Sequence, residues 1–139
     1  MIHDIRHTKY WGNFLILLMM VATFPSIAQE GGNDNSFSPQ PGINGWGGSA
    51  VETIALQTDG KIIIAGEFDA YNLTSRPRIA RLHTDAALDT SFNPGTGANG
   101  TIQSCLVQHD GKILIAGDFT HYNGHPAPRL ARLLARRCY

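Results

Sequence analysis

A stretch of 26 residues occurs twice in this chain, and that repetition constrains the fold more than any other feature. Gln57-Thr58-Asp59-Gly60-Lys61-Ile62-Ile63-Ile64-Ala65-Gly66-Glu67-Phe68 returns 51 residues later as Gln108-His109-Asp110-Gly111-Lys112-Ile113-Leu114-Ile115-Ala116-Gly117-Asp118-Phe119. The match runs without a gap through Tyr71-Asn72 and Tyr122-Asn123 to Arg78-Ile79-Ala80-Arg81-Leu82 and Arg129-Leu130-Ala131-Arg132-Leu133. Of the 26 positions from 57 to 82, 16 are identical to their partners, far beyond coincidence. Upstream, Ser36-Phe37-Ser38-Pro39 matches Ser91-Phe92-Asn93-Pro94 at an offset of 55. The first copy therefore carries four extra residues, which fall in the glycine-rich stretch around Trp46-Gly47-Gly48. A fixed period of roughly fifty residues marks an array of similar units that bury their apolar faces by stacking on one another.

Each unit reads as strands. Val51–Leu56 and Ile102–Val107 are β-branched and apolar with partial alternation. Asp59-Gly60 and Asp110-Gly111 read as tight hairpin turns, because glycine adopts positive φ at little steric cost. The continuous apolar runs Ile62–Ala65 and Ile113–Ala116 predict strands covered on both faces. Arg78–Leu82 and Arg129–Leu133 form a third strand, and Leu88–Phe92 supplies a fourth strand or a loop. No segment after residue 28 has helical periodicity. The expected fold is all-β: two β-propeller-type blades of antiparallel strands, an incomplete propeller. A β-sandwich is the alternative, though it would not require a near-identical second copy.

Composition narrows the class. The chain has 139 residues, enough for one domain. Eleven basic residues balance eleven acidic ones, so no global charge attracts nucleic acid or anionic lipid. An apolar content of 42% argues against disorder, and two cysteines cannot build a disulfide scaffold. Residues 1–28 read as a secretory signal peptide: Arg6 and Lys9 precede the apolar run Phe14–Phe24, Pro25 ends it, and Ser26-Ile27-Ala28 sets a cleavage site before Gln29. Its core of 11 residues is shorter than a membrane-spanning helix requires. The competing reading is an uncleaved anchor or a buried helix. After cleavage at Ala28, 111 residues remain, with nine basic and ten acidic side chains and no second run long enough to span a membrane. The chain is thus expected to be secreted or held at the cell surface. It divides into the signal (1–28), a first repeat with its glycine-rich segment (29–88) and a second repeat (89–139).

The ordered motifs D-x-S-F-N-P-G-x-G, Q-x-D-G-K-I-L-I-x-G-x-F, Y-N-G and I-A-R-L resemble the bacterial delta-60 repeat, a tandem repeat of surface and secreted proteins. The resemblance covers residues 34–133. It implies β-propeller blades, no established catalytic activity and no cofactor. Asp59, Gly60, Gly66, Phe68, Tyr71 and Asn72 match its pattern, as do Asp110, Gly111, Gly117, Phe119, Tyr122 and Asn123, and their implied roles are structural. The copies part at the end. His83-Thr84-Asp85-Ala86-Ala87-Leu88-Asp89 follows the first as the family does, whereas Leu134-Ala135-Arg136-Arg137-Cys138-Tyr139 follows the second. That departure reads as a truncation or frameshift near residue 134. Two units alone leave open sheet edges and an uncovered blade face, and such edges invite pairing with another chain, self-association or aggregation.

Few residues point to chemistry. His109, His121 and His125 lie near Asp110 and Asp118, and imidazole with carboxylate suits a metal. The His121-x-x-x-His125 spacing works mainly on a helix, however, and Tyr122-Asn123-Gly124 with Pro126 predicts a loop. The first copy has Thr58, Ala70 and Thr74 at those positions, so exposed loop histidines are expected. Asp34, Asp85 and Asp89 could offer oxygens to calcium, but lack the spacing of a calcium loop and read as turn caps. The arginine pairs 78/81 and 129/132 read as the polar face of an alternating strand rather than as ion pairs. Cys105 stands where the first copy has Ile54 and reads as a small buried apolar residue, with a Cys105–Cys138 disulfide or a free Cys138 as options. Asn72-Leu73-Thr74 and Asn99-Gly100-Thr101 fit the glycosylation pattern, which would carry no weight in the bacterial setting that the resemblance implies. Nucleophile-elbow, phosphate-loop and Cys-x-x-Cys motifs are missing, and Gly95-x-Gly97 precedes no predicted helix.

These readings predict no catalytic, cofactor-binding or metal residue. The expected role is an exported non-catalytic repeat module, a scaffold or a binder of protein or carbohydrate. The alternatives are a fragment of a propeller hydrolase or lyase, and a truncation product with no function of its own.

Overall fold

Two hairpins with the same turn organise the chain. In the first, Gly60 N–H donates to Gln57 O (3.0 Å) and Gln57 N–H to Lys61 O (2.8 Å), while Gly60 sits at φ +83°. In the second, Gly111 N–H donates to Gln108 O (2.9 Å) and Gln108 N–H to Lys112 O (2.7 Å), with Gly111 at φ +79°. These are three-residue loops closed by a left-handed glycine. Asp59 and Asp110 tighten them by accepting the N–H of Lys61 (3.2 Å) and Lys112 (3.1 Å).

The computed structural model describes residues 32–45 and 48–134. The proposed signal peptide, Trp46-Gly47 and residues 135–139, Cys138 among them, lie outside the described residues. The chain divides after Gly32, and the elements below belong to the unit that starts at Asn33. The first repeat contributes β1 (Ile43–Asn44), β2 (Ala50–Leu56), β3 (Ile62–Glu67), β4 (Ala70–Tyr71), β5 (Thr74–Ser75) and β6 (Ile79–Leu82). The second contributes β7 (Ile102–Val107), β8 (Ile113–Gly117), β9 (His121–Tyr122), β10 (His125–Pro126) and β11 (Leu130–Leu133). Every pairing is antiparallel, and no helix occurs among the described residues. Blade 1 has the strand order β2-β3-β6 and blade 2 the order β7-β8-β11. Each carries a small hairpin, β4–β5 joined by β1, and β9–β10 joined by a bridge from Ala98 to Tyr122.

One local reading changes. The third strands begin at Ile79 and Leu130, not at Arg78 and Arg129. Both arginines adopt positive φ (67° and 64°), so that their N–H groups donate to Phe68 O (2.8 Å) and Phe119 O (2.9 Å). Of the two options for Leu88–Phe92, the loop is the one found: beyond Leu82 the chain makes a single bridge, Leu82 to Leu88, and no fourth strand.

Register fixes which side chains share a face. In blade 1, Ile54, Leu56, Ile62, Ile64, Ala80 and Leu82 lie on one face, and Thr53, Ala55, Ile63, Ala65, Ile79 and Arg81 on the other. In blade 2 the same parity puts Cys105, Val107, Ile113, Ile115, Ala131 and Leu133 on one face, and Ser104, Leu106, Leu114, Ala116, Leu130 and Arg132 on the other. The second face of blade 1 stacks on the first face of blade 2. Ile63, Ala65 and Ile79 join Ile102, Ile113, Ile115, Phe119 and Leu133 in one buried core, which Phe92 and Ala98 complete. Thr53 marks the seam: its Oγ1 accepts the N–H of Cys105 (3.3 Å) and lies 3.6 Å from the Cys105 Sγ. A smaller core of Ile64, Phe68, Tyr71, Ala80 and Leu82 supports the other face of blade 1. Ile63, Ile64 and Ala65 are all buried as expected, but Ile64 is closed off by Phe68 and Tyr71 rather than by another blade. The expectation of a strand covered on both faces fails for β8, where Ile113 and Ile115 are buried but Leu114 and Ala116 are only half-buried, because nothing described stacks on that side.

Both sheets slip by one residue at the same place, between Val51 and Thr53 and between Ile102 and Ser104. The bulges face Gly66 and Gly117. A Cβ on Gly66 would drive into the Ala50 carbonyl and come within 2.7 Å of Glu52 N, and one on Gly117 would meet the Thr101 carbonyl and lie 2.9 Å from Gln103 N. Neither obstacle can yield, since both are backbone atoms in the opposing strand. Gly66→Ala and Gly117→Ala should each cost about 2–3 kcal/mol through overpacking. Urea denaturation followed by circular dichroism measures the loss, and a cost below about 0.5 kcal/mol would show that the bulge relaxes freely.

Candidate functional site

A strongly polar feature of the seam is an ion pair beside the buried core. Arg81 Nε donates to Asp89 Oδ2 at 2.8 Å, Arg81 Nη2 donates to Ser91 Oγ at 3.0 Å, and the guanidinium lies 5.1 Å from the centre of the Phe92 ring. Lys61 Nζ adds a second cation 3.3 Å from Asp89 Oδ2. Both Arg81 and Asp89 are buried, so the reading of Arg81 as part of a solvent-facing strand surface is corrected. Arg78 is also paired, with Asp69 at 3.2 Å, and Arg129 faces Asp118 at 3.7 Å. Burial alone would push the Asp89 carboxyl up. The side-chain and backbone bonds from Ser91, followed by the Arg81 charge and hydrogen bond, outweigh it and hold the carboxyl well below its ordinary value.

Asp89 begins a turn that has a twin. Asp89 Oδ1 accepts Ser91 N–H (2.9 Å) and Ser91 Oγ–H (2.6 Å), and Phe92 N–H donates to Asp89 O (3.2 Å). Asp34 Oδ1 accepts Ser36 N–H (2.9 Å) and Ser36 Oγ–H (2.6 Å), and Phe37 N–H donates to Asp34 O (3.1 Å). The bonds from Ser36 lower the Asp34 carboxyl too. The turns differ in what surrounds them. Phe92 is 4% exposed in the seam, while Phe37 is 40% exposed. No ion pair with Asp34 occurs among the described residues.

Phe37 overhangs the candidate site, a groove of about 520 Å³ on the uncovered face of blade 1. Val51, Ile54, Leu56, Ile62, Ile64 and Leu82 line it, with Ile43, Pro39, Gly42 and Tyr71 at its end. Ile54 and Leu56 are 64% and 70% exposed. The matching residues of blade 2 are Ile102, Cys105, Val107, Ile113, Ile115 and Leu133, and these belong to the seam core. The groove is thus the same surface as one half of the seam, without its cover. Large apolar side chains open to water on one continuous face mark an interaction surface. Tyr71 is not free chemistry, since its hydroxyl donates to Ala86 O (2.7 Å) and burial, then the Asp85 charge, push its pKa up.

The other sequence candidates are spread apart. His109 sits in the β7–β8 turn, whereas His121 and His125 lie on the β9–β10 hairpin, where His125 pairs with Tyr122 and Pro126 with His121. His121 Nδ1 is 2.9 Å from Thr120 Oγ1. No group of three or more His, Cys, Asp or Glu among the described residues could hold a metal ion. Asp85 Oδ1 accepts the N–H of Ala87 (3.0 Å), so Asp34, Asp85 and Asp89 all fold their own turns. Cys105 forms no disulfide among the described residues and is half-buried, and burial pushes its thiol up against the opposing bond from Thr53. Asn72 and Asn99 serve the fold: Asn72 Oδ1 accepts Gly42 N–H (2.9 Å), and Asn99 Oδ1 accepts the N–H groups of Thr120 and His121 (both 2.9 Å). An uncovered blade face is what two units imply, but the sequence does not say which face forms the groove, because the apolar pattern of the first copy equals that of the second.

Residues 57–92 and 108–135 match a family described as a β-propeller domain of unknown function, DUF5122. The two segments are the two repeat copies, so this likeness and the sheet topology agree on an all-β, propeller-type fold. No curated protein and no solved structure matches the chain.

Asp89→Asn should destabilise the chain by about 3 kcal/mol, because Arg81 would remain buried without its counter-charge. Asp34→Asn, whose carboxylate is exposed, should cost much less in dilute solution. The native carboxyl of Asp89 lies below its unfolded value of 3.8, so its contribution is complete above that pH and fades as the pH falls further. Thermal melts from pH 6 down to about pH 2 should therefore fall more steeply for the wild type than for Asp89→Asn. Parallel curves would remove the ion pair from the stability of the seam.

Proposed function

We propose that the chain is an exported, non-catalytic β-propeller repeat module that binds protein through the uncovered face of blade 1. The observation that carries this reading is the groove under Phe37, with Ile54 and Leu56 open to water. Its lining is aliphatic and aromatic, which suits the apolar core of a protein interface. Carbohydrate would need an array of polar side chains to meet its hydroxyls, so protein is preferred as the ligand. Catalysis would need convergent titratable groups, and the groove offers only the Tyr71 phenol, already committed to Ala86. The order of the repeat motifs supports placing both copies among delta-60 repeats. The basic start, short apolar core and Ser26-Ile27-Ala28 support secretion or surface display, with cleavage after Ala28.

Capture tests this role. The full chain and its Ile54→Arg variant are immobilised and exposed to an extracellular protein fraction and to a glycan panel. Wild type should retain protein, the variant should lose at least about tenfold of it, and neither should retain glycans. Glycan binding, or protein capture indifferent to Ile54→Arg, overturns the reading.

A further inference from the structure

We infer that the groove of blade 1 receives a second copy of this chain, which inserts the uncovered face of its own second blade. This rests on the proposed role of the groove as a protein-binding face. The seam inside the chain joins two unlike surfaces: the Ile63–Ile79 face of blade 1 covers the Ile113–Ile115 face of blade 2. Because the blades are repeats, the described residues also leave one surface of each kind uncovered. The groove is equivalent to the covered face of blade 2. The free face of blade 2 is equivalent to the covering face of blade 1, with Leu106, Leu114, Ala116 and Leu130 where blade 1 has Ala55, Ile63, Ala65 and Ile79. Leu106 and Leu130 are 60% and 61% exposed. Repeating the internal contact between molecules therefore joins copies head to tail.

Charge fits the same arrangement. Within the chain, Arg81 and Lys61 on the covering blade close on Asp89 of the turn that precedes the covered blade. Arg132 and Lys112 occupy the equivalent places on blade 2, and Arg132 is exposed. The equivalent turn is Asp34-Asn35-Ser36-Phe37, already folded by the same three hydrogen bonds. Only the basic side chains are missing from it, and a second copy brings them. In the joined pair, Arg132 of one copy meets Asp34 and the Phe37 ring of the next, as Arg81 meets Asp89 and Phe92.

Sedimentation velocity and native mass spectrometry of the full chain test this. Wild type should assemble at about 100 µM, while Ile54→Arg, which blocks the groove, and Leu106→Arg, which blocks the inserting face, should each be monomeric. Both positions are exposed, so both variants should keep the wild-type circular dichroism spectrum. Mixed in equal amounts, they should form a dimer and nothing larger, since one intact groove and one intact inserting face remain. Asp34→Arg and Arg132→Glu should each weaken assembly about tenfold, and the double variant should recover it. A monomeric wild type, assembly unaffected by either blocking variant, or a mixture that stays monomeric overturns the proposal. These outcomes separate it from the binding role: a monomeric wild type whose extracellular capture is still lost on Ile54→Arg removes the second copy but keeps the groove. Capture and assembly both indifferent to Ile54→Arg remove the groove itself.

Discussion

The burial of one sheet face against an unlike face of its neighbour is the interaction on which the rest depends. A three-stranded sheet of four- to seven-residue strands has too little apolar area to stand alone. The seam supplies it by removing Ile63, Ile79, Ile102, Ile113 and Ile115 from water. Each such side chain contributes about 1.5–3 kcal/mol on full burial. The ion pair beside them acts differently. Desolvating Arg81 and Asp89 offsets most of their attraction, so the pair adds little net stability. It fixes position instead: the guanidinium fits only where Asp89, Ser91 and the Phe92 ring converge, which sets the second blade in one register against the first.

The glycines opposite the bulges let this stacking happen. Gly66 and Gly117 bring β3 and β8 against a kinked partner strand where any side chain would strike backbone. The kink turns each chain back toward Phe68 and Phe119, both fully buried. Arg78 and Arg129 take left-handed backbone at the matching corner, so that the same peptides also bond Gly66 N–H (3.0 Å) and Gly117 N–H (3.1 Å) through their carbonyls. Local geometry is thus repeated almost bond for bond, and the blades differ mainly in what covers them.

That difference explains what the sequence could reveal. The repeat, the Asp-Gly turns and the central strands were legible because each depends on local residues. Arg81 and Arg132 stand in the same local sequence, yet one is buried and the other exposed. Their fates are set by the Asp89 turn, which lies outside the repeated strand and reaches Arg81 only after folding. The same holds for Ile62–Ala65 and Ile113–Ala116. Both read as strands covered on two sides, but coverage is a property of the neighbour, not of the strand. The place of the uncovered face was hidden for that reason: apolar residues predict a buried face equally well when the covering element is supplied by another surface. The third-strand start was misplaced because left-handed arginine has no sequence signature of the kind glycine provides.

The two copies also diverge where their faces meet something different. Across the internal seam, Ala55 and Thr53 face Cys105 and Val107, a set of small side chains that allows β2 and β7 to approach closely. On the free surfaces three of the four equivalents are larger, Leu106 for Ala55, Ile54 for Cys105 and Leu56 for Val107, and one, Ser104 for Thr53, is smaller. A joint made from the free surfaces must therefore be thicker along the β2 and β7 edges than the internal one, since close-packed interiors do not absorb extra methylene groups without moving apart. Thicker packing along one edge tilts one sheet relative to the other. Two kinds of joint with different tilts would alternate around any ring built from this chain, and closure would depend on their sum rather than on the internal angle alone.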